Sequence, residues 1–436
     1  MIEPRTIDEG PTAQATGIAA RLRKELVVHR GMIRNVLPML GARGFVIVCG
    51  IASSIITAKV LGPEGRGSYF YIVTLAQLAT QIGNLGLASS NTYVAAQNRN
   101  SAGALAANSF WIALTLGGIA TIVTVAFQMA TGRPDRAALA VVLIVLVPCL
   151  IYGLLASSIL IGAGRAKAYN VFMLVNTGLQ LIAIIVVGLT YGTVSAMLWV
   201  SAGASLAASA MLMWMIARRG PVTWRFDREL LGREMGFASR VYLATLLQFA
   251  VSRLNVMILD HTSGATAVGQ YSIAVQFFDT LLVLPATTAM LLFPDLVRSE
   301  AADRLGRTMQ VALAMGALMT LVAVAFVAIS PWLIPLMFGP GFKDAIEVVR
   351  WMMPGLVAFS VLNIVSQYLA AARIPFSNLL VWMISLPVLG ILAGMLIPVW
   401  GAAGAAAALS ITYVLLAAAI ALLALAQHRT SARAVQ

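Results

Sequence analysis

The chain has 436 residues, of which 60% are hydrophobic and only 10% are charged. A typical soluble domain has about 25% charged residues, so this composition excludes a soluble protein. The net charge of +13 at pH 7 would indicate a nucleic-acid partner in a soluble chain. In a membrane protein, however, Lys and Arg collect in the cytoplasmic loops, and this explains the excess without any nucleic acid.

Apolar segments long enough to cross a bilayer fill most of the chain. A helix needs about 20 apolar residues to cross a hydrocarbon core of about 30 Å. Eight segments have a suitable length: 35–58, 69–94, 104–130, 137–161, 236–260, 269–293, 308–330 and 346–371.

Two further segments, 168–217 and 374–427, contain no charged residue. Each is more than twice as long as a single crossing requires, so each is predicted to be a helical hairpin. The turns are expected at residues 191–193 and 398–401, where Gly stands beside an aromatic residue suited to the membrane interface. The sequence therefore predicts an all-α polytopic membrane protein with about 12 transmembrane helices, numbered here as spans 1 to 12.

The distribution of Lys and Arg predicts the orientation of these spans. Twenty lie on the side that holds both termini, six lie on the opposite side, and three, Arg43, Arg240 and Arg253, lie within spans. This bias places both termini in the cytoplasm. Residues 1–34 are then a cytoplasmic basic arm without a cleavable signal peptide. Within it, segment 18–30 is either solvated or an amphipathic helix on the membrane surface.

The two halves of the chain share recurring residues, which indicates an internal repeat. Three pairs recur at offsets of 202, 208 and 209: Gly67 and Gly269, Arg165 and Arg373, and Gly192 and Gly401. Chance recurrence of Gly and Arg is the alternative. Because six spans are an even number, both repeats begin on the same side of the membrane, so two parallel six-helix repeats around a central cavity are predicted. The predicted domains are an arm (1–34), a first lobe (35–217), a linker (218–235), a second lobe (236–427) and a tail (428–436).

Charged residues within spans are candidates for function, because each costs at least about 2.5–3.5 kcal/mol at the centre of a bilayer. Arg43 lies about 12 Å, and Arg240 about 7 Å, from the cytoplasmic start of its span. Arg43 is predicted to face the cavity, whereas Arg240 either faces it or extends to the interface. Arg253 of span 7 and Asp279 of span 8 are predicted to pair, either as a structural bridge or as a gate or ion-coupling site.

Uncharged polar residues form stripes along one face of spans 2, 7, 8 and 10, as helical spacing allows. The candidates for cavity contacts are Gln77, Gln81, Asn84, Gln248, Gln276, Asn363 and Gln367. Such faces suit a hydrated cavity for a hydroxyl-rich ligand, and interhelical hydrogen bonding is the structural alternative. No His lies within a span, and Cys49 and Cys149 lie in apolar stretches. The sequence therefore predicts no metal site, no cofactor and no enzymatic activity.

Several short motifs resemble features of bacterial polysaccharide-unit flippases. They are KVLGPEGRGSY at 59–69, LGL at 85–87, NTYVA at 91–95, PLMFGPGF at 335–342 and AAR at 371–373. On these motifs the chain resembles the Wzx-like branch of the multidrug, oligosaccharidyl-lipid and polysaccharide exporter superfamily.

The resemblance implies a transporter that moves a polyprenyl-pyrophosphate-linked oligosaccharide, a unit of O-antigen (lipopolysaccharide) or exopolysaccharide, across the bacterial inner membrane by alternating access. Arg43, Arg240 and Arg253 are then candidates for the pyrophosphate, and the polar stripes are candidates for the sugar. The implied partners are the lipid-linked oligosaccharide, membrane lipids, a coupling ion (H⁺ or Na⁺), a polysaccharide polymerase and glycosyltransferases.

Two other functions remain open at the level of the sequence. A cation-coupled multidrug exporter of the same superfamily normally needs a carboxylate deep in its first lobe, and spans 1 to 6 contain no acidic residue. A membrane glycosyl-polymerase or ligase needs a large external catalytic loop, whereas the longest outer loop here, near residues 331–345, is short and rich in Pro and Gly.

The predicted topology is open to a direct labelling experiment. A cysteine introduced near Asp227, in the linker, is expected to stay unlabelled when intact cells are treated with a membrane-impermeant thiol reagent, because the excess of Lys and Arg places this linker in the cytoplasm. The same cysteine should react after the cells are permeabilised. Labelling in intact cells would reverse the predicted orientation.

Overall fold

Within the residues that the computed structural model describes, the chain is almost entirely α-helical. These residues are 11–98, 101–218, 222, 224–371 and 375–433, and side chains are described for all of them except 11–40, 233–241, 301–302, 375–378 and 429–433. Helices suit a bilayer because each satisfies its own peptide hydrogen bonds. The predicted all-α fold is confirmed. The chain divides into two compact units, Met1–Val48 and Cys49–Gln436.

The described helices and one 3₁₀ turn follow each other along the chain with short connections. They are α1 (Pro11–Asn84), α2 (Leu87–Gln97), α3 (Ala102–Ala130), α4 (Pro134–Ala140), α5 (Leu143–Gly162), α6 (Ala166–Thr190), α7 (Val194–Ala217), α8 (Arg228–Leu281), α9 (Val283–Arg298), α10 (Ala301–Phe338), the 3₁₀ turn (Pro340–Phe342), α11 (Ala345–Ala371) and α12 (Pro375–Arg433).

Nine helical stretches in the described part of the chain are long and apolar enough to cross a membrane. Three of them, of 44, 57 and 50 residues, are each long enough for two crossings: Gly41–Asn84, Tyr242–Arg298 and Leu379–His428. Each contains a glycine with left-handed φ, namely Gly62 (65°), Gly264 (78°) and Gly401 (54°). Glycine adopts this conformation without steric cost, so the chain reverses there. The nine stretches therefore account for the twelve predicted spans.

Contacts between residues on either side of Gly62 and Gly401 confirm that the chain folds back at these two glycines. Arg66 hydrogen-bonds the hydroxyls of Thr57 and Ser54, nine and twelve residues earlier. In a straight helix these residues would lie about 14 and 18 Å apart along the axis. Near the last turn, a Cβ added to Gly404 would lie 2.2 Å from the carbonyl oxygen of Leu396. Spans 1 and 2, and spans 11 and 12, are therefore helical hairpins.

The glycine turns recur at the spacing that the sequence predicts. Gly62 and Gly264, which are related by the offset of 202, have nearly the same backbone conformation, with φ of 65° and 78° and ψ of −178° in both. Gly192 and Gly401, which are related by the offset of 209, have φ of 61° and 54°. The two parallel six-helix repeats are therefore confirmed. The first repeat comprises α1 to α7 and the second comprises α8 to α12.

The two repeats touch at the end of the bundle that holds these turns, which we call the glycine-turn end. Here span 2 crosses span 8. A Cβ on Gly67 would lie 1.7 Å from the carbonyl oxygen of Ala265, and a Cβ on Gly269 would lie 2.0 Å from that of Pro63. The offset of 202 relates the two contacts, so a pseudo-twofold axis passes between the glycines. Small residues permit this direct backbone packing.

Two helices begin earlier than the sequence predicts. The helix α1 begins at Pro11, within the predicted arm (1–34), and α8 begins at Arg228, within the predicted linker (218–235). The segment added to α1 is rich in Ala and Arg, and the segment added to α8 is rich in Arg, Leu and Glu, all of which are good helix formers. The backbone amide of Leu230 donates to Asp227 Oδ1 at 2.9 Å, so Asp227 caps α8. The remaining lobe boundaries stay predictions.

Substitution of the crossing glycines tests this packing. We expect Gly67→Ala and Gly269→Ala each to destabilise the protein by about 1–3 kcal/mol, because the added methyl must push two backbones apart. Gly118→Ala is the matched control, since a Cβ there meets nothing within 4 Å. Thermal unfolding of the purified protein in detergent measures the difference. Equal stability of the Gly67→Ala and Gly118→Ala proteins would show that the two helices are not in close contact.

Candidate functional site

The structure brings Arg253 of span 7 and Asp279 of span 8 into direct contact. Arg253 Nη2 donates to Asp279 Oδ2 at 2.6 Å, and the guanidinium carbon lies 5.9 Å from the ring centre of Phe249. The Arg253 side chain is only 13% exposed, whereas that of Asp279 is 46% exposed. The buried Arg253 Nε has no hydrogen-bond partner among the described residues. The pair thus joins one buried cation to one carboxylate that water or a ligand can reach.

Three of the predicted polar residues of the second repeat line one cavity of about 190 Å³. They are Gln248 of span 7 and Asn363 and Gln367 of span 10. The amides of Asn363 and Gln367 donate to carbonyl oxygens one turn earlier, at 3.1 and 3.4 Å. Their amide oxygens are acceptors and remain available for a ligand. Ser366, Phe359 and Trp382 complete the polar and aromatic part of the lining, and none of the three was predicted from the sequence.

A second polar cavity, of about 230 Å³, lies in the first repeat between spans 4, 5 and 6. This cavity was not predicted from the sequence, although its polar lining consists of amides and hydroxyls in uncharged segments: Ser157, Tyr169, Asn176, Gln180, Ser205 and Ser209. Met173 lines this cavity and Trp382 lines the other. These two residues are related by the offset of 209, the same offset that relates Gly192 to Gly401. The cavities therefore share two related walls, spans 4 and 5 in the first repeat and spans 10 and 11 in the second, and they differ in the third wall, which is span 6 in one and span 7 in the other.

Neither cavity has a charged residue in its lining, as far as the structure describes the chain. In the first, Gln180 donates to the hydroxyl of Ser205 at 3.5 Å, and Ser209 donates to the carbonyl of Cys149 at 3.1 Å. Amides and hydroxyls both donate and accept hydrogen bonds. The two cavities can therefore bind neutral, hydroxyl-rich groups.

The other predicted polar residues hydrogen-bond only to residues nearby in the chain, or to none of the described residues. Gln77 and Gln81 of span 2 are half-buried, and neither hydrogen-bonds another described residue. Asn84 is buried, and its Oδ1 accepts the Ala88 amide at 3.1 Å. It thereby caps α2 where the chain breaks at Leu85 and Gly86, which have φ of 48° and 77°. In span 8, Gln276 donates to the hydroxyl of Thr280 at 3.5 Å.

For two of the predicted arginines the structure gives the helix but no contact with the cavities. Arg43 lies on α1 with its side chain half-buried. Arg240 lies on α8, but its side chain is outside the described residues. Their predicted roles stay predictions.

Four charged residues at the glycine-turn end make contacts that the sequence did not predict. From the sequence, Arg66, Arg133 and Arg136 are among the six basic residues of the loops opposite the termini, and Asp260 has no predicted role. In the structure Arg66 is 5% exposed, and Asp260 is 2% exposed and bound by both of the other arginines. The only sequence signal for this contact was an acidic residue at the end of predicted span 7. Among the described residues, no group of three or more His, Cys, Asp and Glu could hold a metal ion.

Comparisons with known proteins identify the fold. With a transporter of the multidrug resistance MATE family and the MOP superfamily, in an inward-facing conformation, the TM-score is 0.70 at 17% identity, over 88% of this chain and 95% of that one. With an outward-facing transporter of the same family and superfamily, the TM-score is 0.62 at 16% identity, over 90% of this chain and 94% of that one. With the lipid II flippase MurJ, in an inward closed conformation, the TM-score is 0.67 at 14% identity, over 88% of this chain and 86% of that one.

No curated protein gives a significant match to the sequence. The family model described as polysaccharide biosynthesis protein matches residues 32–300, which is more than half of the chain. This match agrees with the resemblance carried by the motifs, and the transporter folds agree with the twelve spans. The chain is a multi-pass membrane protein that belongs to the polysaccharide biosynthesis protein family and has the fold of MOP-superfamily transporters and flippases.

Proposed function

We propose that this protein flips a polyprenyl-pyrophosphate-linked oligosaccharide from the inner to the outer leaflet of the bacterial inner membrane, with both of its termini in the cytoplasm. The observation that carries the proposal is the pair of related, uncharged polar cavities, one in each repeat. They occur in a chain of the polysaccharide biosynthesis protein family. The transported unit belongs to a surface polysaccharide such as O-antigen or exopolysaccharide.

The cavities fit the sugar part of such a substrate. A site for a whole drug-sized ligand usually has at least about 300 Å³, whereas these cavities have about 230 and 190 Å³. Each can therefore hold only part of a larger molecule. Sugar hydroxyls need partners that donate and accept, which Asn176 and Gln180 supply in the first repeat and Asn363 and Gln367 in the second.

The pyrophosphate needs cationic partners, and we assign these to Arg43 and Arg240, with Arg253 as a third candidate. A diphosphate that leaves the headgroup layer must exchange water for charge-assisted hydrogen bonds. Arginine stays protonated in apolar surroundings and presents a planar fork of donors. Arg43 and Arg240 lie near the predicted cytoplasmic ends of their spans, where an inward-open cavity first meets the lipid headgroups.

Transport requires the two repeats to move against each other. In our proposal they rock against each other, as parallel repeats with a shared axis allow. The crossing of Gly67 and Gly269, at the predicted outer end of the bundle, is closed until the repeats part there. Arg253 and Asp279 act as a gate or as the coupling site for H⁺ or Na⁺, because the half-exposed carboxylate can exchange its arginine for a proton or a metal ion. Membrane lipids, glycosyltransferases and a polysaccharide polymerase are the expected partners.

Export of a cationic drug is the alternative that the MATE-like fold favours. A cationic drug needs an acidic counter-charge in its binding site. Spans 1 to 6 contain no Asp or Glu, and neither cavity is lined by one within the described residues. The polysaccharide substrate is therefore the better supported, and the protein is proposed to be a transporter and not an enzyme.

Substitution of Arg43 tests the proposed capture of pyrophosphate. Arg43→Ala is expected to lower polymer export about 10- to 100-fold, since it removes charge-assisted hydrogen bonds worth about 1.5–3 kcal/mol. Arg43→Lys should restore export only in part, because lysine lacks the planar fork. The control is Arg307→Ala, at an exposed arginine of α10. Polymer export is measured in cells whose only copy of this protein is the variant. Normal export by Arg43→Ala at native expression level would show that Arg43 does not capture the substrate.

A double substitution separates a gate from a structural bridge at Arg253 and Asp279. Asp279→Asn leaves a buried guanidinium without its carboxylate, so we expect a loss of stability on the order of 1–2 kcal/mol, reduced by the partial exposure of Asp279. Arg253→Gln combined with Asp279→Asn should regain that stability while transport stays absent. Thermal unfolding and polymer export measure the two effects. If the double variant regains both, the pair is only structural.

A further inference from the structure

A buried ion cluster joins the two repeats at the glycine-turn end. Arg133 Nη1 lies 2.8 Å from Asp260 Oδ2, and Arg136 Nη2 lies 2.8 Å from Asp260 Oδ1. The Asp260 side chain is 1% exposed, and those of Arg133 and Arg136 are 28% and 15% exposed. Each carboxylate oxygen thus has its own arginine. Both arginines belong to the turn between spans 3 and 4 of the first repeat, whereas Asp260 lies at the end of span 7 of the second.

Neighbouring side chains hold the two arginines in place. The guanidinium carbon of Arg136 lies 5.4 Å from the ring centre of Tyr71, and Gln128 donates to the Tyr71 hydroxyl at 2.7 Å. Arg133 Nη2 also lies 3.2 Å from His261 Nδ1 and donates to the His261 carbonyl at 3.4 Å. Since Tyr71 and Gln128 are in the first repeat, Arg136 keeps its contact with Tyr71 when Asp260 is withdrawn.

A third buried arginine lies at the same end. Arg66 donates to the hydroxyls of Ser54 and Thr57 in the first repeat and of Ser272 in the second, the last at 3.2 Å. It forms no ion pair with any described residue. Separation of the repeats at this end would withdraw Asp260 from Arg133 and Arg136, and Ser272 from Arg66. The first repeat would then present three arginines without the carboxylate that neutralises two of them.

Two arginines that bind the two oxygens of one carboxylate can bind two oxygens of a phosphate in the same way. We propose that Arg133 and Arg136 form an anion site, occupied by the Asp260 carboxylate while the glycine-turn end is closed and by the diphosphate of the outgoing substrate once the repeats part. The proposal rests on the function proposed above. The diphosphate replaces the lost ion pairs, so opening on the outer side is favoured when substrate is present.

The first experiment tests whether this cluster keeps the glycine-turn end closed. Ser272 of the second repeat is fully buried and accepts a hydrogen bond from Arg66 of the first. A Ser272→Cys reporter, in a chain with Cys49→Ala and Cys149→Ala, is therefore expected to react with an impermeant maleimide only when this end opens. Asp260→Asn should raise the labelling rate about tenfold, within the usual range of coupling between sites. Arg133→Gln with Arg136→Gln should raise it similarly.

The matched control is Asp135→Asn, which removes an exposed carboxylate from the same turn. It should leave the labelling rate at the level of the parent protein. If Asp260→Asn labels no faster than Asp135→Asn, the cluster does not hold this end closed and the proposal is wrong.

The second experiment tests anion binding with inorganic pyrophosphate as the probe. The full-length protein is placed in nanodiscs of zwitterionic lipid, which supply no competing anionic headgroups, and binding is followed by titration calorimetry. Every protein compared carries Arg43→Ala, so the result does not depend on capture at Arg43. Adding Asp260→Asn should tighten pyrophosphate binding about tenfold, because the competing carboxylate is lost.

Adding Arg133→Gln and Arg136→Gln to that variant should abolish the gain in affinity. Equal affinity with and without Asp260→Asn, or a gain that survives loss of both arginines, would overturn the anion site. Export by Arg43→Ala tests the proposed function separately, so failure of one proposal is distinguishable from failure of the other.

Discussion

The contact on which this structure depends is the crossing of two backbones at Gly67 and Gly269. Within a membrane, apolar side chains gain little by leaving lipid for protein, so helices associate through close packing and polar contacts. At this crossing the carbonyl oxygens of Pro63 and Ala265 occupy the space that a Cβ would need. The repeats therefore meet on their pseudo-twofold axis through directly packed backbone. Because the two glycines have no side chains to interlock, this contact can separate and form again as the repeats move against each other.

Around this crossing, buried charges are satisfied in three different ways. Arg66 is surrounded by hydroxyls, Asp260 is shared by two arginines, and Arg253 pairs with one half-exposed carboxylate. Charges that lose their hydration are stable only while such partners stay in place. The first two arrangements use groups from both repeats, so they link the relative position of the repeats to electrostatic energy. The third lies within the second repeat and can respond to a ligand without separation of the repeats.

The uncharged cavities and the arginine cluster match different parts of the proposed substrate. Neutral amides and hydroxyls in each repeat match the sugars, while cationic groups match the diphosphate. The cavities contain residues such as Ser157 and Gln367, close to the ends of α5 and α11 that lie opposite the glycine turns. The cluster lies at the glycine-turn end. A substrate that crosses the membrane would therefore meet polar partners at both ends of its path.

The sequence by itself determined the twelve spans, the hairpin turns and the parallel repeat, because bilayer thickness and glycine turns leave local marks along the chain. It also identified Gln248, Asn363 and Gln367, since helical spacing shows which polar residues share a face. Only the tertiary structure decided which distant groups meet. Asp260 and its arginines are separated by 127 and 124 residues, and the cavity of the first repeat combines three spans. Such contacts depend on how helices pack across the bundle, and no local pattern of residues encodes that packing.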